Sequence, residues 1–459
     1  MSLPIVHHQA TVEEIRSMFR QSPLSALRQM LPDAAILEAC QTCGHTFRRR
    51  LCDPVVTVLH YLAQALQREE SFAATWQELW TPLAADFPEL ALSAPKHSAL
   101  TRARARLPQE VLQNLAARII RDTGDAAQHW RGLRLLALDG TTLSMSRNAE
   151  LFDHYGAHRA RGTTVRYPLV RFCSLLTVGA STLLDYRTGP FTTAELVTAT
   201  PLLDRLSPGD LLLADRGFAG SPTLARLKAR NAPFLMRKNA KLIVGRLPVV
   251  QRLGQNDFLT DLPVSKPARR LDPTLPETVR IRLFRATWRT PAGERLSEWF
   301  VTSLADARRF KKRALAKLYH QRWRIETSYQ EFKALFHGDV LRSKTVAGIE
   351  KEIHAHVLAY QLVRRLMAAA AEKHAVPPTE ISFLNAARVT LRFSQHMATA
   401  PAWALPIHYD RLLDAIAAGR IDIRPGRLEP RLIAREKKHY TRLRQSRTQW
   451  RHQRLRRAG

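Results

Sequence analysis

Asp210-Leu-Leu-Leu-Ala-Asp215-Arg216-Gly217-Phe218 is a short apolar run closed by an acid, an arginine and a glycine. Consecutive apolar residues between turn signals read as a strand buried on both faces. Ser221–Arg230 beyond it reads as a helix and Pro233–Arg237 as another strand. Upstream, Leu133-Arg-Leu-Leu-Ala-Leu138 is a similar strand, running into Asp139-Gly140-Thr141. After a basic loop from Arg147 to Arg166, Leu169–Val178 and Leu183–Arg187 read as two strands joined by a Gly/Ser turn, and Ala194–Leu206 as a helix.

The resulting order, β-β-β-α-β-α-β and then a long helix, is that of an α/β domain with a ribonuclease H-like mixed sheet flanked by helices. Asp139 and Asp215 are expected at the carboxyl ends of their strands, where open α/β sheets gather their chemistry. A glycine follows each, directly or one residue on, so a sharp turn is expected there. A lone aspartate in such a place is as readily a turn residue or helix cap.

Tyr319-His-Gln-Arg-Trp-Arg-Ile-Glu-Thr-Ser-Tyr-Gln-Glu-Phe-Lys333 reads as one helix, without Pro or Gly. Tyr319, Arg322, Glu326 and Lys333 fall within roughly a 60° arc of it. A metal-held phosphate ester needs such a face: an acid for the metal, cations for phosphate oxygens, a phenol to donate a hydrogen bond. Taken alone, the pattern is also that of a solvated helix face. Together, Asp139, Asp215 and Glu326 form a set of three acids able to hold two divalent cations, Mg²⁺ or Mn²⁺, about 3.5–4 Å apart.

The Pro- and Arg-rich stretch at about 239–302 reads as a β insertion ahead of the Glu326 helix, with strand-like pieces at Thr278–Ala286 and Leu296–Thr302. Trp288 and Trp299 within it are candidates for stacking on an unpaired base, with core packing the competing role.

Residues 1–130 read as a helical domain, with helices at Thr11–Arg20, Leu24–Leu31, Asp33–Cys43, Pro54–Leu66, Ala73–Leu79 and Pro108–Asp122. Arg102, Arg104 and Arg106 decorate a short helix that suits docking on DNA or, equally, a solvated basic face. Cys40-x2-Cys43-x-His45-x6-Cys52 has partial zinc spacing. The apolar helical setting of Cys40 speaks for a helix end followed by the basic run Arg48–Arg50. Downstream, Gly348–Ala371, Thr379–Leu391 and Ala404–Ala418 read as helices that cover the sheet or make a dimer contact. The tail 431–459 carries eleven Lys or Arg and one acid, Glu436. It is expected to stay loose until it meets a polyanion.

Composition sets the outer limits. The 459 residues are 45% hydrophobic and 24% charged, enough for two or three globular domains. Lys and Arg number 71 against 40 acids, a net +31, which calls for a polyanionic partner. No apolar run of membrane-spanning length and no signal peptide is apparent, which argues against a membrane. Four cysteines fit a reducing cytoplasm rather than a disulfide scaffold.

Asp139-Gly-Thr, Asp215-Arg-Gly-Phe and Tyr319-x2-Arg322-x3-Glu326-x6-Lys333 resemble the signature of DDE transposases from bacterial insertion sequences, in the subgroup named YREK after its one-letter codes. Leu341-Arg-Ser-Lys344 and Arg424-Pro-Gly-Arg…Pro430-Arg431 also look familial. The resemblance implies a catalytic domain over 131–346, a helical C-terminal region over 347–430, and metal-dependent cut-and-paste transposition at terminal inverted repeats. By motif position it implies Asp139, Asp215 and Glu326 as metal ligands, with Tyr319, Arg322 and Lys333 on phosphates near the scissile bond. Arg216, Arg102, Arg104, Arg106 and Lys344 are further expected DNA contacts. Terminal-repeat and target DNA are the expected partners, met by a homodimer in the bacterial cytoplasm, at the nucleoid. The competing readings are a nuclease or resolvase on the same sheet, and an inactive DNA-binding relative.

Overall fold

Leu211 and Leu213 of the strand Asp210–Ala214 enter one apolar core, while Leu212 and Ala214 enter another. Successive side chains of a strand point to opposite faces, so an unbroken apolar strand must be covered on both. The computed structural model describes residues 27, 30–48, 52–67, 71–77, 97–122, 128–158, 167–289, 295–335 and 340–421. The expected helix Thr11–Arg20, most of Leu24–Leu31, Arg49 and Arg50, the far part of the Arg147–Arg166 loop, and everything from 422 through the basic tail lie outside them.

The strands are β1 (His129–Trp130), β2 (Leu133–Met145), β3 (Leu169–Thr177), β4 (Leu183–Pro190), β5 (Asp210–Ala214), β6 (Phe234–Arg237), β7 (Gln251–Gly254), β8 (Asp257–Pro263), β9 (Thr278–Arg289), β10 (Arg295–Thr302) and β11 (Val340–Leu341). They form one mixed sheet in the order β4-β3-β2-β5-β6-β10-β9-β8-β7. β3 runs antiparallel to both β2 and β4, β5 and β6 are parallel to β2, and β10 returns antiparallel to β6. This is the ribonuclease H-like sheet expected from the order of elements. The insertion is not a separate layer: β7–β10 extend the same sheet from its β6 edge. Inside it Arg282, 1% exposed, is held by both oxygens of Asp257 at 2.7 and 2.6 Å. A charge so buried needs this kind of two-fold, hydrogen-bonded pairing.

The N-terminal helices are α1 (Asp33–Thr42), α2 (Pro54–Leu66), α3 (His97–Arg106) and α4 (Gln109–Asp122), with a further turn of helix at 72–77. Asp53 caps α2 by accepting from the Val56 N–H at 3.0 Å, and Pro54 occupies the first helical position. Every residue of α2 except Gln64 is buried. Around the sheet run α5 (Ala149–Tyr155), α6 (Glu195–Ala199), α7 (Ser221–Ala229) and α8 (Lys266–Leu271). The expected helix Ala194–Leu206 is only α6 followed by a 3-10 turn from Thr200, with Pro201 at the junction.

The stretch Tyr319–Lys333 differs from a single regular helix. α9 (Lys312–Tyr319) ends in a 3-10 turn at His320–Arg322, from which α10 (Trp323–Ala334) starts. Three helices follow: α11 (Val346–Lys373), α12 (Phe383–Thr399) and α13 (Leu405–Ala418). α11 has 28 residues, about 42 Å, and packs against α2, α4, α12 and α13. Between Ile349 and Met367 only Glu350 and Arg365 escape burial. It is therefore an internal spine and not a dimer face. One apolar core runs from α1, α2 and α4 through α11 to the near face of the sheet; the far face has its own, under α6 and α7.

Candidate active site

The register of β2 against β5 puts two acids side by side. The last parallel pair is Leu138↔Ala214, so Asp139 and Asp215 are the next residues on neighbouring strands, about 5 Å apart in backbone. Alternation fixes their face. Leu135 and Ala137, Leu211 and Leu213, and Leu235 all lie on the side of the sheet covered by α10 and α11. Asp139, Asp215 and Arg237 continue that series, and Ile325, Tyr329 and Phe332 pack against the same side.

Asp215 directly follows its strand, as expected. Asp139 does not: β2 continues through Asp139 and Gly140 to Met145. No turn follows Asp139. What ends there is the pairing with β5, and β2 is met again only at Ser144 and Met145 by β11. The site opens in this gap along the β2 edge.

Glycine at 140 answers to a different demand. A Cβ there would meet the Glu195 Oε1 at 2.1 Å, on the face of β2 opposite Asp139. Glu195, the first residue of α6, is thus a fourth acid beside the site, close enough to work against ionisation of Asp139. Its sequence context, Thr-Thr-Ala-Glu195-Leu-Val, carries no signal of this. The paired glycine at 140 could have hinted at it.

Arg322 connects the acids. Its Nη2 donates to Glu326 Oε1 at 2.9 Å, and its Nη1 lies 3.4 Å from Asp139 Oδ2. The residue is 7% exposed, and its Nε is buried without a hydrogen-bond partner. Arg237, from the end of β6, donates twice to Asp215 Oδ1, at 3.1 and 2.9 Å. The Tyr319 hydroxyl points at the same oxygen from 3.4 Å. Tyr319 is buried, with its ring 5.1 Å from that of Phe300. The expected phosphate-facing phenol is therefore turned to an acid.

A second phenol carries a contact the sequence reading passed over. Tyr329 donates its hydroxyl to the Asp139 carbonyl and lies 2.9 Å from Ser174 Oγ. Ser174 is the cross-strand partner of Asp139, so Tyr329 pins α10 to both strands at the acid. Lys333 lies seven residues beyond Glu326, about 10 Å along the helix, and is not part of this contact network.

Burial pushes the Asp139 carboxyl up to about 6, against the pull of the Gly140 N–H and of Arg322. Burial also opposes ionisation of Asp215, but the Arg216 N–H and the Arg237 guanidinium outweigh it and hold that carboxyl below its usual range. Burial raises the Tyr319 phenol to about 12, so it stays protonated and can donate.

Asp139, Asp215 and Glu326 supply only carboxylate oxygens, the donor set of a hard divalent cation. Among the described residues no three His, Cys, Asp or Glu side chains converge closely enough to hold an ion. At the three acids the guanidinium of Arg322 stands between Asp139 and Glu326 and gives them the positive charge that an ion would give.

The other expected contacts are dispersed. Arg216 is exposed just past Asp215. Arg102 and Arg106 are exposed on α3, but Arg104 is turned inward, bonding Gln64 at 2.6 Å with its guanidinium 3.9 Å over the Tyr61 ring. Arg104 thus holds α3 to α2. Lys344 is exposed, and its carbonyl accepts from the Asn148 amide at 2.9 Å. Trp288 is half-buried and meets His320 edge-on at 5.0 Å, while Trp299 packs on Phe258. Burial pushes the Cys40 and Cys52 thiols up to about 11, away from the thiolate that zinc requires.

The chain belongs to the DDE transposase family: the family profile described as "Transposase DDE domain" matches residues 130–362. A second profile, "Insertion element 4 transposase N-terminal", matches residues 21–117. The protein is thus a transposase, an enzyme of DNA transposition, and its family uses divalent metal ions. Transposase InsG for insertion sequence element IS4, from Escherichia coli K12, is 27% identical over 429 residues, covering 90% of this chain and 92% of that protein. Putative transposase InsZ from the same strain is 29% identical over 148 residues, 31% of this chain and 49% of that protein. A piggyBac transposase synaptic complex with hairpin DNA shares 11% identity at a TM-score of 0.44, covering 87% of this chain and 86% of that one.

Proposed function

We propose that the protein cuts and pastes its insertion sequence, cleaving DNA at the terminal inverted repeats and joining the freed ends to target DNA. The observation that carries this reading is the register that sets Asp139 beside Asp215, with Glu326 tied to Asp139 through one guanidinium. Asp139, Asp215 and Glu326 are the acids that hold Mg²⁺ or Mn²⁺. Held by these three carboxylates, a divalent ion would supply Lewis-acid activation of the attacking oxygen and charge stabilisation at the leaving one. The chain's own work is positioning. Tyr329 fixes α10 on the strand that carries Asp139. Arg237 keeps Asp215 ionised. Arg322 exchanges its carboxylate partners for a phosphate near the scissile bond, which frees Asp139 and Glu326. Tyr319 and Lys333 complete the phosphate contacts of the YREK arrangement.

In the same reading, residues 1–130 are a helical DNA-binding domain, 131–346 the catalytic domain, 347–430 a helical support and 431–459 a basic DNA-binding tail. The working assembly is a homodimer on DNA, in the cytoplasm at the nucleoid. Among the described residues no helix is long and apolar enough to cross a membrane.

Glu326→Ala tests the reading. Cleavage and strand transfer are expected to fall by several orders of magnitude, while affinity for terminal-repeat DNA survives, because Arg322 and Lys333 remain. Gel-shift affinity and cleavage rate are compared with wild type. Cleavage within about tenfold of wild type, a barrier change of about 1.4 kcal/mol, refutes the role given to Glu326.

A further inference from the structure

A groove with room for about 950 Å³ runs along α9, between that helix and the insertion. α9 and the turn after it supply Lys312, Arg313, Ala316, Lys317 and His320; their spacing is one helix face. The β9–β10 hairpin supplies Arg285, Trp288 and Arg295, with Thr287 and Ser297 between them. Five of the lining residues are Lys or Arg, and none is an acid.

The charge lining this groove is unbalanced, unlike that of the two arginines before it on β9. On β9, Arg280 is paired with Asp261 and Arg282 with Asp257. Arg285, next along the same strand, donates only to the Ser297 hydroxyl at 2.7 Å. Among the described residues, none of the five groove cations takes part in an ion pair. Like charges gathered without acids destabilise the free protein and favour a polyanion.

Position narrows the partner. His320, at the end of the groove, is the neighbour of Tyr319, whose hydroxyl faces Asp215 at 3.4 Å. The helix that lines the groove thus also carries the phenol that faces Asp215, while the groove's cations are separate from Arg237 and Arg322, which stand at the acids themselves. α9 has eight residues, about 12 Å, or three to four phosphate steps of one strand. Arg285, Arg295, Arg313, Lys317 and His320 are all exposed. Long exposed side chains make contacts to the backbone, which carry no sequence information. A strand that must be accepted whatever its sequence needs this kind of surface.

We infer that the α9–insertion groove holds the phosphodiester backbone of target DNA during strand transfer. This rests on the transposase mechanism proposed above. Arg313→Glu/Lys317→Glu tests it, with Arg313→Ala/Lys317→Ala as the milder variant should the first fold poorly; both side chains are exposed. Cleavage of a terminal-repeat duplex is expected within about threefold of wild type, and joining of a pre-cleaved end to a plasmid target at least tenfold slower. The salt dependence of binding to a duplex of unrelated sequence is expected to flatten by about two in log–log slope, near one for each lost phosphate contact. That slope is read without catalysis, so the groove is tested even if the cleavage mechanism proves wrong. Parallel loss of cleavage and of terminal-repeat affinity overturns the assignment, because the groove then holds the transposon end. An unchanged slope or unchanged joining overturns it too.

Discussion

Replacing Arg322 by alanine removes the one group that joins Asp139 to Glu326 among the described residues. The guanidinium makes a 2.9 Å contact with Glu326 and a 3.4 Å contact with Asp139. Charge-assisted hydrogen bonds contribute about 1.5–3 kcal/mol each, and the longer contact belongs at the low end. Against this stands the buried, unpartnered Nε, a cost of about 1–3 kcal/mol that leaves with the side chain. The net expectation is a loss of about 1–3 kcal/mol, read as a lower denaturant midpoint of the DNA-free protein. The change also reaches Asp139. Its carboxyl, already raised to about 6 by burial, loses the positive charge that pulls it down, and rises further. In the wild type this group favours the fold fully below its unfolded value of about 4, and that contribution is lost as pH rises through about 6. In the variant the loss extends to higher pH. Cleavage at neutral pH is expected to fall at least a hundredfold and to recover in part as pH is raised, because Asp139 must be ionised to serve. An unchanged midpoint, with cleavage within about tenfold of wild type and no shift of the acidic limb, would show that the guanidinium is a bystander.

Gly140→Ala is expected to leave the fold intact, since the obstructing Glu195 oxygen is the tip of a flexible side chain, and to cut cleavage about as much as Glu195→Gln; a severe effect of Gly140→Ala beside a silent Glu195→Gln would place the constraint in the backbone. Tyr329→Phe removes the hydroxyl that meets the Asp139 carbonyl and Ser174, and is expected to cost about 1–3 kcal/mol in a denaturant titration, leaving buried acceptors unpaired. Cleavage should require added Mg²⁺ or Mn²⁺ after chelation and persist in Cys40→Ala/Cys43→Ala; stoichiometric bound zinc, with collapse of that variant, would assign the cysteines a structural metal.

Local signals settled much of this protein. Asp210–Ala214 is apolar on both faces and ends where the pairing ends, so both the strand and the position of Asp215 were legible. Pro54–Leu66 is bounded by its own cap and proline, and the structure has it at the same residues. The face shared by Arg322 and Glu326 follows from helical spacing, and a 3-10 turn just before α10 leaves it intact.

Tertiary packing decided the rest, because it joins residues far apart in the chain. Leu133–Leu138 looked like a complete strand, but β3 and β11 pair with the residues beyond it and carry β2 through Asp139 to Met145. The glycine at 140 reads as a turn until Glu195, 55 residues on, is seen against it. Arg104 has the sequence context of a DNA-facing cation, yet an aromatic ring and an amide from α2 draw it inward. The insertion joins the main sheet because β10 finds the free edge of β6. An amino-acid sequence states which groups a residue can satisfy; which partner comes within reach, and whether an arginine spends its charge on phosphate or on an acid, depends on the register of strands that meet only in the folded chain.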